Sequence, residues 1–276
     1  MTSHGEHLLV SCDPESGHVY SFEWDSGNLR WVWPSGSGVS SGLIVVDGLV
    51  ILVTLDNELV ALDVAYGVEE WRTVGVAARR ATRSTATPVV IDGDIMWGRQ
   101  DGMLSRRVAS TGEIVWETEL PAAVSTDLLQ HGGNVILGLV NGHMVRIDPA
   151  DGNVLSDSDL GVMPTYRWLP VDNDHIVGMT GTGRMERLVM CVDATTLETI
   201  WTFETPDEIK FSNVQPALGW GAVLVATDEP ALYAIDPTSG ALKWKATVAH
   251  PPRTIKIVDD DLYIGTFSGT LSAYRK

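Results

Sequence analysis

The chain is short of cysteine and of long apolar runs, and each shortage excludes a class of protein. Its 276 residues include only Cys12 and Cys191, which is too few for a disulfide scaffold. The repeats described below place them far apart, so we expect two free, mostly buried thiols. No stretch approaches the roughly 18 apolar residues of a membrane-spanning helix, so we expect no membrane insertion.

Basic residues are also scarce. There are 19 Lys and Arg against 36 Asp and Glu, for a net charge of -17. Only five of the basic residues are lysines. An acidic surface repels nucleic acid and anionic membranes, so neither is an expected partner.

The N-terminus has neither the basic region nor the apolar run of a signal peptide. Leu9-Val10-Ser11-Cys12 resembles a lipoprotein cleavage box, but only Leu8 to Val10 precede Cys12 as an apolar core and no Lys or Arg lies upstream. The same residues fit a strand. We therefore expect a cytoplasmic protein, with an exported form as the alternative.

Helix signals are nearly absent, and short alternating runs take their place. In residues 228–247, Leu232 to Ile235 alternate as a half-buried strand does, Asp236 follows, a small polar turn ends in Gly240, and a second run contains Trp244. Most of the chain consists of imperfect copies of this stretch. Function would then depend on the segments where the copies differ, chiefly residues 76–85, 180–184 and 207–213.

The copies are 40 to 45 residues apart, as the intervals between Trp31, Trp71 and Trp116 show. Trp201 and Trp244 continue the series, with Leu155 filling one gap. Periods of this length indicate a β-propeller. Seven copies of the third strand predict an all-β fold: a seven-bladed β-propeller of four-stranded antiparallel blades, in one domain over residues 1–276. The terminal blades are expected to be incomplete, the first lacking its innermost strand and the last its outermost; Met1 to Gly5 could at most add a short edge strand.

The repeated residues have structural explanations. The turn glycines suit hairpins that require positive φ, and an Asp that follows a third strand can accept hydrogen bonds from the turn ahead of it. The tryptophans are expected on the outermost strands, packed on the neighbouring blade. Recurrence once per blade argues against catalysis or metal binding by these residues.

These motifs resemble the pyrroloquinoline-quinone-type repeat, most clearly in Leu232-Tyr233-Ala234-Ile235-Asp236 and Leu242-Lys243-Trp244-Lys245. The family's dehydrogenases are much longer and carry a vicinal disulfide beside the quinone. This chain lacks adjacent cysteines, so the resemblance implies no quinone, no Ca²⁺ and no catalytic residue here. Two non-dehydrogenase branches remain: a periplasmic lipoprotein scaffold of outer-membrane β-barrel assembly, and sensor or scaffold propellers.

A basic face is the candidate site. Loops that lead into the innermost strands, or the residues just beyond them, contain six of the 19 basic residues: Arg79, Arg80, Arg83, Arg167, Lys210 and Arg253. Arginine forks bind carboxylates and phosphates well, so this mouth of the propeller could bind an acidic protein segment or a small anionic ligand. Alternatively, the charges simply lie on exposed loops.

The sequence therefore favours a non-catalytic scaffold, ligand sensor or protein-interaction module. The alternative is a hydrolase or lyase acting at the central channel. No catalytic, metal-binding or cofactor-binding residues are predicted, because no nucleophile elbow, phosphate loop, dinucleotide fingerprint or ligand spacing occurs.

Overall fold

The computed structural model describes residues 1–11, 17–75, 86–181, 187–205, 214–266 and 268–275. Within these ranges the chain forms strands and no helix, and consequently no helix of the length and apolarity that a membrane crossing needs. The strands are β1 Thr2–His4, β2 His7–Ser11, β3 His18–Glu23, β4 Leu29–Pro34, β5 Ile44–Val46, β6 Leu49–Val53, β7 Glu58–Asp63, β8 Glu69–Val74, β9 Val89–Ile91, β10 Asp94–Gly98, β11 Met103–Arg107, β12 Ile114–Glu119, β13 Leu129–His131, β14 Asn134–Gly138, β15 His143–Ile147, β16 Val154–Asp159, β17 Pro164–Pro170, β18 His175–Gly181, β19 Arg187–Asp193, β20 Thr199–Phe203, β21 Ala217–Gly219, β22 Ala222–Ala226, β23 Ala231–Ile235, β24 Leu242–Thr247, β25 Pro252–Val258, β26 Asp261–Thr266 and β27 Leu271–Arg275.

Consecutive strands form seven sheets, which we number 1 to 7 in chain order. Sheets 1 to 6 contain four strands each, from β1–β4 through β21–β24, and sheet 7 contains β25–β27. The strands of each sheet follow one another as an antiparallel meander, which is the construction of a propeller blade. The fold is the seven-bladed β-propeller that the repeat predicted.

The two ends of the chain differ from each other. The sequence predicted a first blade without its innermost strand, but β1 pairs with β2, Thr2 opposite Leu9. The two-residue turn Gly5-Glu6 permits this hairpin because Gly5 adopts a φ of +53°. Sheet 1 therefore has four strands. Sheet 7 ends at β27 in the described residues, as expected for the last blade.

The chain divides into two compact units. Unit 1 comprises Met1–Asn141 and Val145–Leu155, and unit 2 comprises Gly142–Met144 and Ser156–Lys276. In each unit the core lies between neighbouring sheets. Met96 of sheet 3 packs with Leu137 of sheet 4 in unit 1, and Cys191 of sheet 5 packs with Tyr233 of sheet 6 in unit 2.

The outermost strands share one irregularity. In sheets 1, 2, 3, 5 and 6 the register between the third and fourth strands shifts by one residue, and the repeated Trp pairs just before the shift. This Trp is the third residue of its strand, so Ser156 is its counterpart in β16. The assignment of Leu155 to that place was wrong by one residue, because Leu155 is the neighbouring, exposed position.

Sheet 5 also differs from the expectation at residues 180–184. Thr180 and Gly181 are not loop residues but continue β18, paired with Leu188 and Arg187. Residues 182–186 lie outside the described residues. Strand β18 therefore ends at Gly181, two residues later than the sequence indicated.

Candidate partner-binding surface

Four of the repeated tryptophans connect their own sheet to a turn of the next sheet. The indole Nε1 of Trp31 in β4 donates to the carbonyl oxygen of Val64 in sheet 2 at 3.0 Å, and the ring lies against Gly67. The same pair of contacts recurs at the next positions, with distances of 2.9, 3.0 and 3.0 Å: Trp71 with Ala109 and Gly112, Trp116 with Pro149 and Gly152, and Trp201 with Pro237 and Gly240. These contacts confirm the predicted structural role.

Sheets 4 and 5 make this connection with different residues. Ser156 replaces the Trp, and its Oγ donates to the carbonyl oxygen of Thr195 at 2.7 Å. Leu197 replaces the turn glycine, with a φ of +64° and a fully buried side chain. A large residue at the turn thus accompanies a small residue on the strand.

The repeated aspartates are structural as well. Asp63 Oδ1 accepts the backbone N–H groups of Ala65 and Tyr66 at 2.9 and 2.7 Å. Asp148, Asp193 and Asp236 accept equivalent bonds in their own turns. Backbone and side-chain bonds from Ser239 lower the pKa of Asp236 to about 2, which favours a carboxylate that accepts hydrogen bonds over one that exchanges protons.

Two of the six predicted basic residues lie in described segments. Arg167 in β17 and Arg253 in β25 are both exposed, on the first strands of sheets 5 and 7. Each lies at an irregularity, because the pairing of β17 shifts between Thr165 and Leu169 and that of β25 between Pro252 and Thr254. Bulges of this kind redirect a side chain away from the regular face of a strand. Arg79, Arg80, Arg83 and Lys210 lie outside the described residues.

Sequence reasoning missed a charged cluster in sheet 3. Arg107 is buried, and its guanidinium donates to Ser105 Oγ at 3.1 Å, the Gly112 carbonyl at 2.9 Å and Glu117 Oε1 at 2.9 Å. Arg99 binds the same Glu117 oxygen at 3.2 Å.

The indole of Trp97 lies 5.6 Å from the guanidinium carbons of both Arg99 and Arg107. Burial lowers the pKa of Arg107. The signal for the cluster was Arg106-Arg107, where the second repeat has Ala61-Leu62. We interpret it as structural, because Arg107 also donates to Thr73 Oγ1 of sheet 2 at 3.3 Å.

Cys191 is fully buried, free and in the core of unit 2, as predicted for this thiol. Burial raises its pKa to about 12, so it is protonated and poorly nucleophilic at neutral pH. Cys12 lies outside the described residues. Across the described segments, no group of three or more His, Cys, Asp or Glu side chains could hold a metal ion.

Comparison with known proteins identifies the family. The PQQ_2 family model, described as "Outer membrane protein assembly factor BamB", matches residues 1–123 and 101–274. The chain belongs to this family. The predicted resemblance to the quinone-type repeat, without the dehydrogenase features, is therefore confirmed.

Individual proteins similar to this chain are also named outer membrane protein assembly factor BamB. The chain is 22% identical to outer membrane protein assembly factor BamB of Yersinia pestis, over 100% of this chain and 71% of the relative. It is 23% identical to BamB of Moranella endobia (strain PCIT), over 96% of this chain and 68% of that protein.

Solved structures support the fold. The crystal structure of BamB from Moraxella catarrhalis superimposes with a TM-score of 0.82 at 17% identity, over 99% of this chain and 80% of that one. The computationally designed Ika8 protein gives 0.76 at 15% identity, over 100% and 82%. At such identities the likeness concerns the fold alone.

The comparisons also correct the predicted location. The expectation of a cytoplasmic protein was wrong, because the family and the relatives are named for the assembly of outer membrane proteins. The expectation rested on the lack of a credible signal peptide or lipoprotein cleavage box in the N-terminal residues. Residues 7–11 do form a strand, β2, but a strand at that place says nothing about compartment.

Proposed function

We propose that this chain is a protein-interaction scaffold in the assembly of outer membrane proteins. The observation that carries the proposal is the family match over nearly the whole chain, to a model named for that process. The structural residues agree with a scaffold role, since the repeated Trp, Gly and Asp residues link the sheets and shape their turns.

We further propose that the basic face binds an acidic segment of a partner protein. Its members are Arg79, Arg80, Arg83, Arg167, Lys210 and Arg253. Arg167 and Arg253 support this role because both are exposed at bulges near the start of first strands. The protein has a net charge of -17, so its overall electrostatic field repels acidic proteins. A local positive surface would attract an acidic segment to that one place.

Replacement of a relative tests the scaffold role. In a bacterium from which the gene for its own BamB has been deleted, this chain is expressed in place of the mature BamB. The amount of folded outer membrane protein is then measured. Restoration of folded protein is expected. Normal amounts of this chain in its correct compartment, without any restoration, would contradict the proposal.

Charge reversal tests the basic face in the same strain. Arg167→Glu with Arg253→Glu, and separately the triple reversal at Arg79, Arg80 and Arg83, should reduce restoration and the recovery of partner proteins after cross-linking. Lys256→Glu is the matched control, because Lys256 is an exposed cation on β25, the strand that contains Arg253. Equal loss in the control and the reversed variants would sink the assignment of the site.

A further inference from the structure

Sheets 3 and 4 are built on the same plan. Residues 92–119 and 132–159 align without a gap, so each residue of sheet 3 has its counterpart 40 positions later. By this alignment β10 matches β14 and β11 matches β15. The turn residues 92–93 and 132–133 all adopt a positive φ, between +51° and +83°. Differences between these parts of the two sheets therefore concern side chains on the same backbone.

Arg106 in β11 is partly buried, and its charge is compensated. Its Nε donates to Asp94 Oδ2 at 2.8 Å, and its Nη2 lies 3.8 Å from Asp92 Oδ2. Nη1 donates to the Pro149 carbonyl at 3.0 Å. Two carboxylates and a carbonyl oxygen thus surround this guanidinium.

Arg146 in β15 is the counterpart of Arg106, but both carboxylates are replaced. Asn134 stands at the position of Asp94, and Gly132 at that of Asp92. The amide nitrogen of Asn134 donates to the Gly132 carbonyl at 3.2 Å. Arg146 Nε is buried without a hydrogen-bond partner, and no described carboxylate forms an ion pair with the guanidinium. The desolvation cost of this charge is therefore not offset by any described anion.

The other arginines of the described segments show how unusual this is. Among the side chains that the structure describes, four arginines are not exposed: Arg99, Arg106, Arg107 and Arg146. The first three contact the carboxylates of Asp101, Asp94 and Glu117, respectively. The chain has 36 Asp and Glu residues, so acidic residues are not scarce. The unpaired state of Arg146 thus belongs to this one place.

The turn beside Arg146 leaves room for a ligand. Gly132 and Gly133 are both exposed, and a Cβ added at either would meet no atom within 4 Å. In sheet 3 the side chain of Asp92 occupies the first of these positions. An external carboxylate can approach the guanidinium from that side and form charge-assisted hydrogen bonds with it.

We propose that Arg146 and the turn at residues 132–134 bind a carboxylate, which takes the place of the two aspartates present in sheet 3. These residues all belong to unit 1. The turn follows β13, whereas the basic face was predicted on loops that precede the first strands, so this site is separate from the basic face. Two sources share the chemistry: an acidic side chain of a partner protein and a free carboxylic acid.

Acetate is the probe, exchanged for chloride at constant ionic strength. NMR follows the Nε–H signals of the arginines in the full chain, assigned by their loss in Arg146→Lys and Arg106→Lys. The Arg146 signal should shift, with half-saturation on the order of 10–100 mM acetate. The Arg106 signal is the internal control and should not shift, because Asp94 already binds its Nε. An unmoved Arg146 signal, or equal shifts of both signals, would overturn the proposal.

Two substitutions at residue 134 separate charge from size. Asn134→Asp restores the carboxylate that sheet 3 has, so the affinity for acetate should fall at least about tenfold. Asn134→Ser removes the amide without adding charge and should keep the affinity within about twofold. Unchanged acetate binding by the Asp variant would contradict the site. If that variant does not fold, Gly132→Asp supplies the carboxylate of Asp92 instead, at a positive φ that Asp tolerates.

Cross-linking in the replacement strain distinguishes the two sources. Lower recovery of partner proteins with Asn134→Asp than with Asn134→Ser would assign the carboxylate to a partner protein. Equal recovery, with acetate binding lost in the Asp variant, would assign it to a free carboxylic acid. Restoration of folded outer membrane protein without an acetate shift would count against this site alone. An acetate shift without restoration would count against the scaffold function alone.

Discussion

The indole of Trp31 lies against the α carbon of Gly67 in the neighbouring sheet. A Cβ at residue 67 would lie 2.5 Å from Trp31 Cδ2, and Gly67 adopts a φ of +68°. The indole Nε1 meanwhile donates to the Val64 carbonyl. Two separate demands therefore require glycine here, one on the backbone conformation and one on the space above it.

Comparing the stability losses of Gly67→Ala and Gly27→Ala should separate the cost of the positive φ from the cost of contact with the indole. Gly27 occupies the same turn position in sheet 1, with a φ of +69° and no atom within 4 Å of an added Cβ. The control should lose about 1 kcal/mol of unfolding free energy from the backbone conformation alone. Gly67→Ala should lose about 3 kcal/mol, since overpacking against the indole adds to that cost. Urea unfolding measures both, and equal losses would show that the indole yields without cost.

The link between sheets 4 and 5 supplies a second prediction. Where the other links have a large Trp on the strand and a small Gly at the turn, this link has the small Ser156 on the strand and the large Leu197 at the turn. Leu197→Gly should cost about 2–3 kcal/mol through a buried cavity, offset in part by relief of the positive φ. Ser156→Trp alone should cost about 2 kcal/mol by overpacking. The double variant restores the Trp–Gly pair, so the two costs should fall short of additive by about 2 kcal/mol in thermal or urea unfolding. Strict additivity would mean that the side chains do not share one space.

The repeat made most of the fold predictable. Asp63, Gly67 and Trp71 recur at fixed offsets, so periodicity identified the strands, the turns and the roles of these residues before any coordinates. The error at Leu155 arose where the pattern residue is missing: the bond from Ser156 Oγ to the Thr195 carbonyl, which the sequence does not reveal, shows that Ser156 and not its neighbour contacts sheet 5. Strand β1 was expected at most as a short edge strand within Met1 to Gly5, because its three polar residues carry no alternating signal.

The site was less predictable for a physical reason. Repeats report what is common to every blade, while binding depends on what is particular to one. Counting charges on loops could single out Arg253 but not its place in a bulge of β25. Arg107 was overlooked because an arginine is expected at the surface, and its burial is made tolerable by partners that no sequence pattern announces, among them Glu117 and the Gly112 carbonyl.

Glu117 compensates the buried Arg107, and this arrangement gives a third prediction. Glu117→Gln should cost about 2 kcal/mol of unfolding free energy, below the full cost of orphaning a buried charge because the Glu117 side chain is 27% exposed. Glu119→Gln, on the same strand and exposed, is the control and should change stability little. Adding Arg107→Leu, which restores the residue type of Leu62 in sheet 2, should recover part of the loss. No recovery would contradict the interpretation of an orphaned charge.

Two histidines should titrate on opposite sides of the ordinary value of 6.5. Burial and nearby Arg30 lower the pKa of His7, whose Nδ1 lies 2.9 Å from Ser21 Oγ. The carboxylate of Asp157, 2.7 Å from Nδ1, raises the pKa of His143. The stabilising contribution of His143 is therefore complete below pH 6.5 and is lost as pH rises through its folded pKa.

His7 acts in the opposite sense, because its folded state prefers the neutral ring, and stability falls as pH drops from 6.5 through its lowered pKa. NMR titration of the imidazole signals, assigned with His7→Gln and His143→Gln variants, measures both values. Asp157→Asn should return the pKa of His143 toward 6.5 and leave that of His7 unchanged. A His143 pKa that did not respond to this substitution would show that the Asp157 contact is absent in solution.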